Sequence, residues 1–132
     1  EYLEERFPDT VLIGSTAEER ANTRMWVRRV DLKICEPLTN GFRFAEGLPL
    51  FESRFRCLPE AADGLKATAQ DNIKWLDALI SGREFIAGDK FTLADIMLFV
   101  QELFISLILP NWGLYIQSKS YLTFILSAKK MI

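Results

Sequence analysis

Phe85-Ile86-Ala87-Gly88-Asp89-Lys90-Phe91-Thr92-Leu93-Ala94-Asp95-Ile96 carries the strongest folding signal in this chain. Thr92 is a helix-capping residue type and Asp95 follows three positions later, so each side chain can satisfy a backbone donor beside the other. Phe91 precedes the cap and Ile96 takes the fourth helical position, the two ends of a hydrophobic staple. Thr92 and Asp95 are therefore read as structural caps rather than as catalytic groups. Replacing Asp95 by Ala is expected to cost about 0.5–2 kcal/mol of stability without touching ligand affinity. The helix that starts here continues through Met97, Phe99, Val100, Leu103 and Phe104 and is apolar nearly all round, which places it at the centre of a bundle.

Working outward, the segment before this signal predicts a helix from about Pro59 or Glu60 to Ile80. Leu65, Ala69, Ile73, Leu76 and Ile80 make one apolar stripe, Lys66, Asp71, Lys74 and Asp77 lie off it, and Ser81-Gly82 ends it. Glu46 to Pro59 reads as an irregular connection, broken by Gly47 and Pro49, which Phe51 and Phe55 could tack onto the body. Before it, Thr16-Ala17-Glu18-Glu19 fits a capping box that opens a helix reaching about Phe44. Apolar residues recur there at Ala21, Met25, Leu32, Cys35, Leu38 and Phe42, and Pro37 is expected to kink it. Pro8 to Ser15 is a linker, and Glu1 to Phe7 reads as a helix end stopped by Pro8. Downstream, a last helix is expected from about Ser118 to Lys130 after Pro110-Asn111. No strand pattern and no repeat is visible. The expected fold class is all-α, a helical bundle of about five helices.

The composition bounds the chemistry. The 132 residues suit one domain, with 16 basic and 18 acidic side chains and a net charge of -2. That near-neutral balance argues against a dedicated nucleic-acid binder. With no His there is no Ser-His-Asp or Cys-His nucleophile pair and no histidine metal site. Cys35 and Cys57 stand 22 residues apart, without a CxxC, so no structural zinc site is expected. Two thiols in so long a chain suggest a reducing, cytoplasmic setting, and the charged Glu1-Tyr2-Leu3-Glu4-Glu5-Arg6 is unlike a signal peptide. The charge-free run from Leu103 to Ser118 spans 16 residues and contains Pro110 and Gly113, so it is read as a buried helix and not as a membrane span. Residues 1–102 carry a net of -5, whereas residues 103–132 carry Lys119, Lys129 and Lys130 and no acid.

This order of features resembles the C-terminal, all-helical half of a glutathione transferase. The resemblance rests on Glu1-Tyr2-Leu3-Glu4-Glu5-Arg6-Phe7-Pro8, on Leu12-Ile13-Gly14, on Glu19-Arg20-Ala21 through Trp26, and on the stretch from Phe85 to Asp95. The series Trp26, Arg29, Asp31, Pro37, Phe42-Arg43-Phe44 looks closest to a bacterial and fungal theta-like group. It implies three parts. Residues 1–8 would end the last helix of a thioredoxin-like half, 9–15 would be the interdomain linker, and 16–132 the helical domain. From 103 to 132 the sequence departs from the family, lacking its closing Trp and Arg-Pro-Ser. In the family the thioredoxin-like half binds glutathione and activates its thiol, and the parts of that half that do so have no match in this sequence. No catalytic residue is assigned here and no cofactor is expected, glutathione being the family's co-substrate.

The resemblance also implies a site. The first long helix of the family's helical half lines the pocket of a small hydrophobic electrophile, and an acid midway along it reaches the γ-glutamyl ammonium of glutathione in the partner subunit of a homodimer. Asp31, 17 residues after Gly14, suits that acid. Asp31, Cys35, Leu38 and Phe42 are spaced by four, three and four, with Arg28 extending the stripe. These five residues are the candidate substrate-binding set. Two other readings stand beside it: Asp31 as a surface ion pair with Arg24, Arg28 or Lys33, and Cys35, Leu38 and Phe42 as core. Trp26, Trp75 and Trp112 are read as packing residues, and Cys57 as an unreactive thiol. The implied function is attack of glutathione thiolate on an apolar electrophile, with this chain supplying the helical half. A non-catalytic helical interaction module of translation-factor type, or an inactive fragment, remain alternatives.

Overall fold

The computed structural model describes residues 1–108, and the expected last helix, Trp112 and the atypical segment beyond 108 lie outside them. The elements are α1 (Tyr2–Arg6), α2 (Ala17–Val30), a π-turn (Asp31–Cys35), α3 (Glu36–Arg43), the one-turn α4 (Leu48–Phe51), a 3-10 turn (Pro59–Ala61), α5 (Ala62–Ile80) and α6 (Leu93–Ile108). Among the described residues the fold is all-α, with one isolated bridge between Phe85 and Gly88. The connection from 46 to 59 differs from expectation in holding α4, with Pro49 in its first turn where no backbone donor is needed.

The opening of α2 is built as the sequence predicts. Thr16 Oγ1 accepts from Glu19 N at 3.1 Å, while the Glu19 carboxylate accepts from Thr16 N at 3.3 Å and Ser15 N at 2.8 Å. The turn before it needs glycine: Gly14 has φ +124°, and a Cβ there would stand 2.5 Å from Glu19 Cβ. Ile13 is buried, and its N–H is held by the Glu4 carboxylate at 3.1 Å. The Leu93 N–H donates to Leu12 O at 3.0 Å, so the linker is stitched to the start of α6.

Pro37 is accommodated by a wide turn. It lacks an N–H, and its ring would press on the carbonyl of Lys33 in a regular helix. The π-turn lets Glu36 N–H bond to Asp31 O, five residues back, immediately before that proline. The extra residue sets α3 back by about one position, ~100° of rotation, relative to α2. Asp31 is left half-buried on the rim, while Leu38 and Phe42 turn into the interior.

Two clusters make the core. Trp26, Val30, Ile34 and Cys35 meet Ile73, Leu76 and Ile80 of α5, Ile86, and Ala94 and Leu98 of α6. Leu38, Phe42 and Ala69 form the second, flanked by Phe51 and Phe104. The expected α5 stripe is buried at Ala69, Ile73, Leu76 and Ile80. α6 is buried on one face only: Ala94 and Leu98 are fully enclosed, whereas Val100 and Leu103 are 56 % and 45 % exposed. Its apolar sequence exceeds the surface that α2 and α5 offer it. No helix among the described residues is long and apolar enough to cross a membrane.

Candidate functional site

The five candidate residues split between a groove and the core. Arg28, Asp31 and Cys35 line a concavity of about 410 Å³ along α2 and α3, together with Thr39, Asn40 and Arg43. Leu32 and Glu36 complete its wall. Leu38 and Phe42 lie instead in the second core cluster, where Phe42 meets Phe104 edge-on at 5.4 Å and Phe51 at 6.3 Å. The π-turn explains the split, because the four–three–four spacing shares one face only on an unbroken α-helix.

Within the groove Asp31 accepts from Arg28 Nη1 at 3.0 Å, an ion pair one turn apart with both partners substantially exposed. The other two cations considered for Asp31 are engaged elsewhere. Arg24 holds Glu1 through two hydrogen bonds of 2.8 Å, and Lys33 Nζ sits 4.8 Å over the Trp75 ring. Burial pushes the Cys35 thiol up to about 12, with the Asp31 carboxylate adding to the shift, so this side chain is a small apolar surface and not a nucleophile. Cys57 is half-buried, with its Sγ 3.8 Å from Phe55 O.

Sequence reasoning did not single out the far end of the groove. Arg43 lies against a contacting pair of aromatic rings, 5.5 Å from the Phe51 centroid and 5.7 Å from that of Phe55. Its Nη1 donates to Asn40 Oδ1 at 3.3 Å, and its buried Nε has no hydrogen-bond partner. Thr39 Oγ1 accepts from Gln101 Nε2 at 3.1 Å. The available signal was the polar spacing Glu36, Asn40, Arg43, which runs i, i+4, i+7 beside the apolar Leu38 and Phe42.

The cap region is a closed structure. Asp95 is fully buried and accepts from Ile86 N at 2.8 Å, Thr92 N at 2.6 Å and Thr92 Oγ1 at 2.9 Å. Thr92 thus donates its hydroxyl proton to the carboxylate rather than taking the Asp95 N–H, which bonds to Thr92 O at 3.1 Å. Phe91 packs edge-on against Phe85 at 5.8 Å. Burial pushes the Asp95 carboxyl above its usual range, against the pull of these donors. A hollow of about 400 Å³ beside it, walled by Val11, Asn22, Phe91 and Thr92, is crossed by the Lys90–Glu19 pair at 2.6 Å. That ammonium, with the N–H groups of Ser15 and Thr16, holds the Glu19 carboxyl down at about 2. Among the described residues no group of three or more His, Cys, Asp or Glu is placed to hold a metal.

Residues 59–119 match the family described as glutathione S-transferase, C-terminal domain. That match spans just under half of the chain and likens it to the helical domain of that family. A glutathionyl-hydroquinone reductase from Sphingobium chlorophenolicum is 32 % identical over 79 residues, covering 60 % of this chain and 23 % of that protein. A probable glutathione S-transferase from Nicotiana tabacum is 29 % identical over 96 residues, covering 73 % of this chain and 37 % of its own. The chain therefore spans well under half the length of these relatives. The crystal structure of Gtt2 from Saccharomyces cerevisiae superposes with a TM-score of 0.83 at 21 % identity, over 99 % of this chain and 65 % of that one. A glutathione S-transferase domain-containing protein from Marinobacter aquaeolei gives 0.78 at 23 % identity, over 98 % and 61 %. These superpositions show the fold, with α1, the linker and the helical body in one arrangement.

Proposed function

We propose that this chain works as the helical half of a glutathione-conjugating enzyme, paired with a thioredoxin-like half that binds glutathione and activates its thiol. The observation that carries this reading is α1. Tyr2, Leu3 and Phe7 are 70 %, 68 % and 68 % exposed, an apolar face that its own domain leaves uncovered. The same short helix is fixed from behind by Glu4 on the linker and by Glu1 on Arg24, so the face is presented in a set orientation.

The chain's own residues supply orientation and no thiol activation. Cys35 is held as a neutral thiol and there is no His to act as base. Asp31, on the groove rim, is the group that would meet the γ-glutamyl ammonium across a homodimer, exchanging its Arg28 partner for a charge-assisted contact. Cys35 contributes apolar wall for a small hydrophobic electrophile, and Leu38 and Phe42 brace that wall as core. A cytoplasmic location fits the two free thiols.

The test is intact mass and glutathione conjugation of an aryl halide, both on protein expressed from the natural gene. Turnover by a species heavier than 15.2 kDa is expected, with Asp31→Asn raising the KM for glutathione and leaving the melting temperature unchanged. A protein of any mass that forms no conjugate overturns the reading.

A further inference from the structure

We propose that the corner made by α4 and the turn after it is a docking surface for an anionic lipid bilayer, Leu50, Phe55 and Leu58 entering the interface while Arg54 and Arg56 meet the headgroups. This surface is formed by the described residues of this chain alone and takes nothing from the transferase reading.

The sequence leaves this corner apolar without a core to use it. Leu48-Pro49-Leu50-Phe51 closes a single helical turn, and no regular element follows until Pro59. Leu50 is 63 % exposed, Phe55 39 % and Leu58 37 %. A lone exposed leucine is ordinary surface, whereas three large apolar side chains within nine residues make a patch. The turn is compact, because the N–H groups of Arg54 and Phe55 both donate to Phe51 O, at 2.8 and 3.3 Å. The Phe55 ring lies 5.7 Å from that of Phe51, which packs edge-on against Phe42 of the core. The corner is thereby fixed to the body, and docking it requires little ordering.

Charge and area choose the partner. Arg54 and Arg56 are both exposed and face the single acid Glu52 in this stretch, which is net positive in a chain of net charge -2. The Arg54 guanidinium lies 5.8 Å from the Phe51 centroid. Glu46, the nearest acid upstream, is bound to Lys66 at 2.7 Å. Cations standing beside exposed rings suit a bilayer interface, with the apolar groups at the acyl boundary and the guanidiniums at the level of the phosphates. A stable protein interface takes about 800 Å² from each partner, more than three partly exposed side chains offer. A bilayer makes no such demand, since lipid moulds itself around inserted side chains.

The experiment is co-sedimentation of the whole chain with vesicles of phosphatidylcholine containing about a third phosphatidylserine, against vesicles of phosphatidylcholine alone. Saturable binding to the first and none to the second is expected, weakening as salt is raised. Arg54→Gln with Arg56→Gln should weaken binding about thirtyfold, and Leu50→Asp about tenfold. All three side chains are exposed, so the melting temperature should not move. Lys119→Gln, Lys129→Gln and Lys130→Gln together remove the other basic stretch and should leave these effects in place. Absence of binding, equal binding to both vesicles, or binding that follows the lysines and not Arg54 and Arg56 would each overturn the proposal. So would tighter binding to soluble polyglutamate, which gives the patch to an acidic protein, or a dimer of the free chain that Leu50→Asp dissociates, which gives it to a second copy.

Discussion

The cap of α6 and the groove along α2–α3 are both polar clusters on a helical scaffold, yet they are finished differently. At the cap one buried carboxylate takes up two backbone N–H groups and a hydroxyl. In the groove the one ion pair is exposed to water, and a guanidinium keeps a buried Nε without a partner. A cluster that serves only the fold closes its hydrogen bonds internally, because every open one is a direct loss of stability. The groove leaves that capacity open.

The comparison breaks most readily at Asp95. Asp95→Ala would strand the Ile86 and Thr92 N–H groups, both belonging to buried residues. Two orphaned donors at about 1–3 kcal/mol each give an expected loss of about 2–6 kcal/mol, above the capping value that sequence alone suggests. Urea denaturation measures it. A variant as stable as the parent would show that the cap is not closed as described.

That upward revision marks where the sequence stops being legible. Thr16 with Glu19, Thr92 with Asp95, and the stripe Ala69, Ile73, Leu76, Ile80 were readable because capping and helical periodicity act within a few residues. Asp95 reaching back nine residues to Ile86 was not, nor was Lys90 meeting Glu19 across 71 residues, since both depend on how loops close. The site suffered more. Its expected face assumed a regular helix through Asp31, Cys35, Leu38 and Phe42, and the π-turn ahead of Pro37 shifted the last two inward. Arg43 gained its setting from Phe51 and Phe55, which sit beyond a turn that no periodicity specifies.

A smaller effect sharpens the contrast at the groove. If the Arg28–Asp31 pair is surface charge held ready for a ligand, a double-mutant cycle of Arg28→Ala and Asp31→Ala should give a coupling below about 0.5 kcal/mol in thermal unfolding. The 3.0 Å contact joins side chains that are 67 % and 36 % exposed, so solvent and salt screen it. A coupling above about 1 kcal/mol would move this pair into the class of the Asp95 cap and argue that Asp31 is structural.

The smallest expected effect lies at Glu19, a carboxylate with the connectivity of the cap and the exposure of the groove. Its carboxyl is held down at about 2 against an ordinary 4.5, first by Lys90 and then by the N–H groups of Ser15 and Thr16. A depressed acid stabilises the fold only while ionised. Its contribution is therefore full above about pH 4.5 and is lost as the pH falls toward 2. Glu19→Gln removes the charge at every pH. The difference in melting temperature between parent and variant should be open near neutrality and close across that acid window. It should also narrow in high salt, because the pair is solvated. A difference that persists unchanged to the acid limit would mean that Glu19 works through the shape of its hydrogen bonds and not through its charge, which is how Gly14 and the capping box hold the same turn.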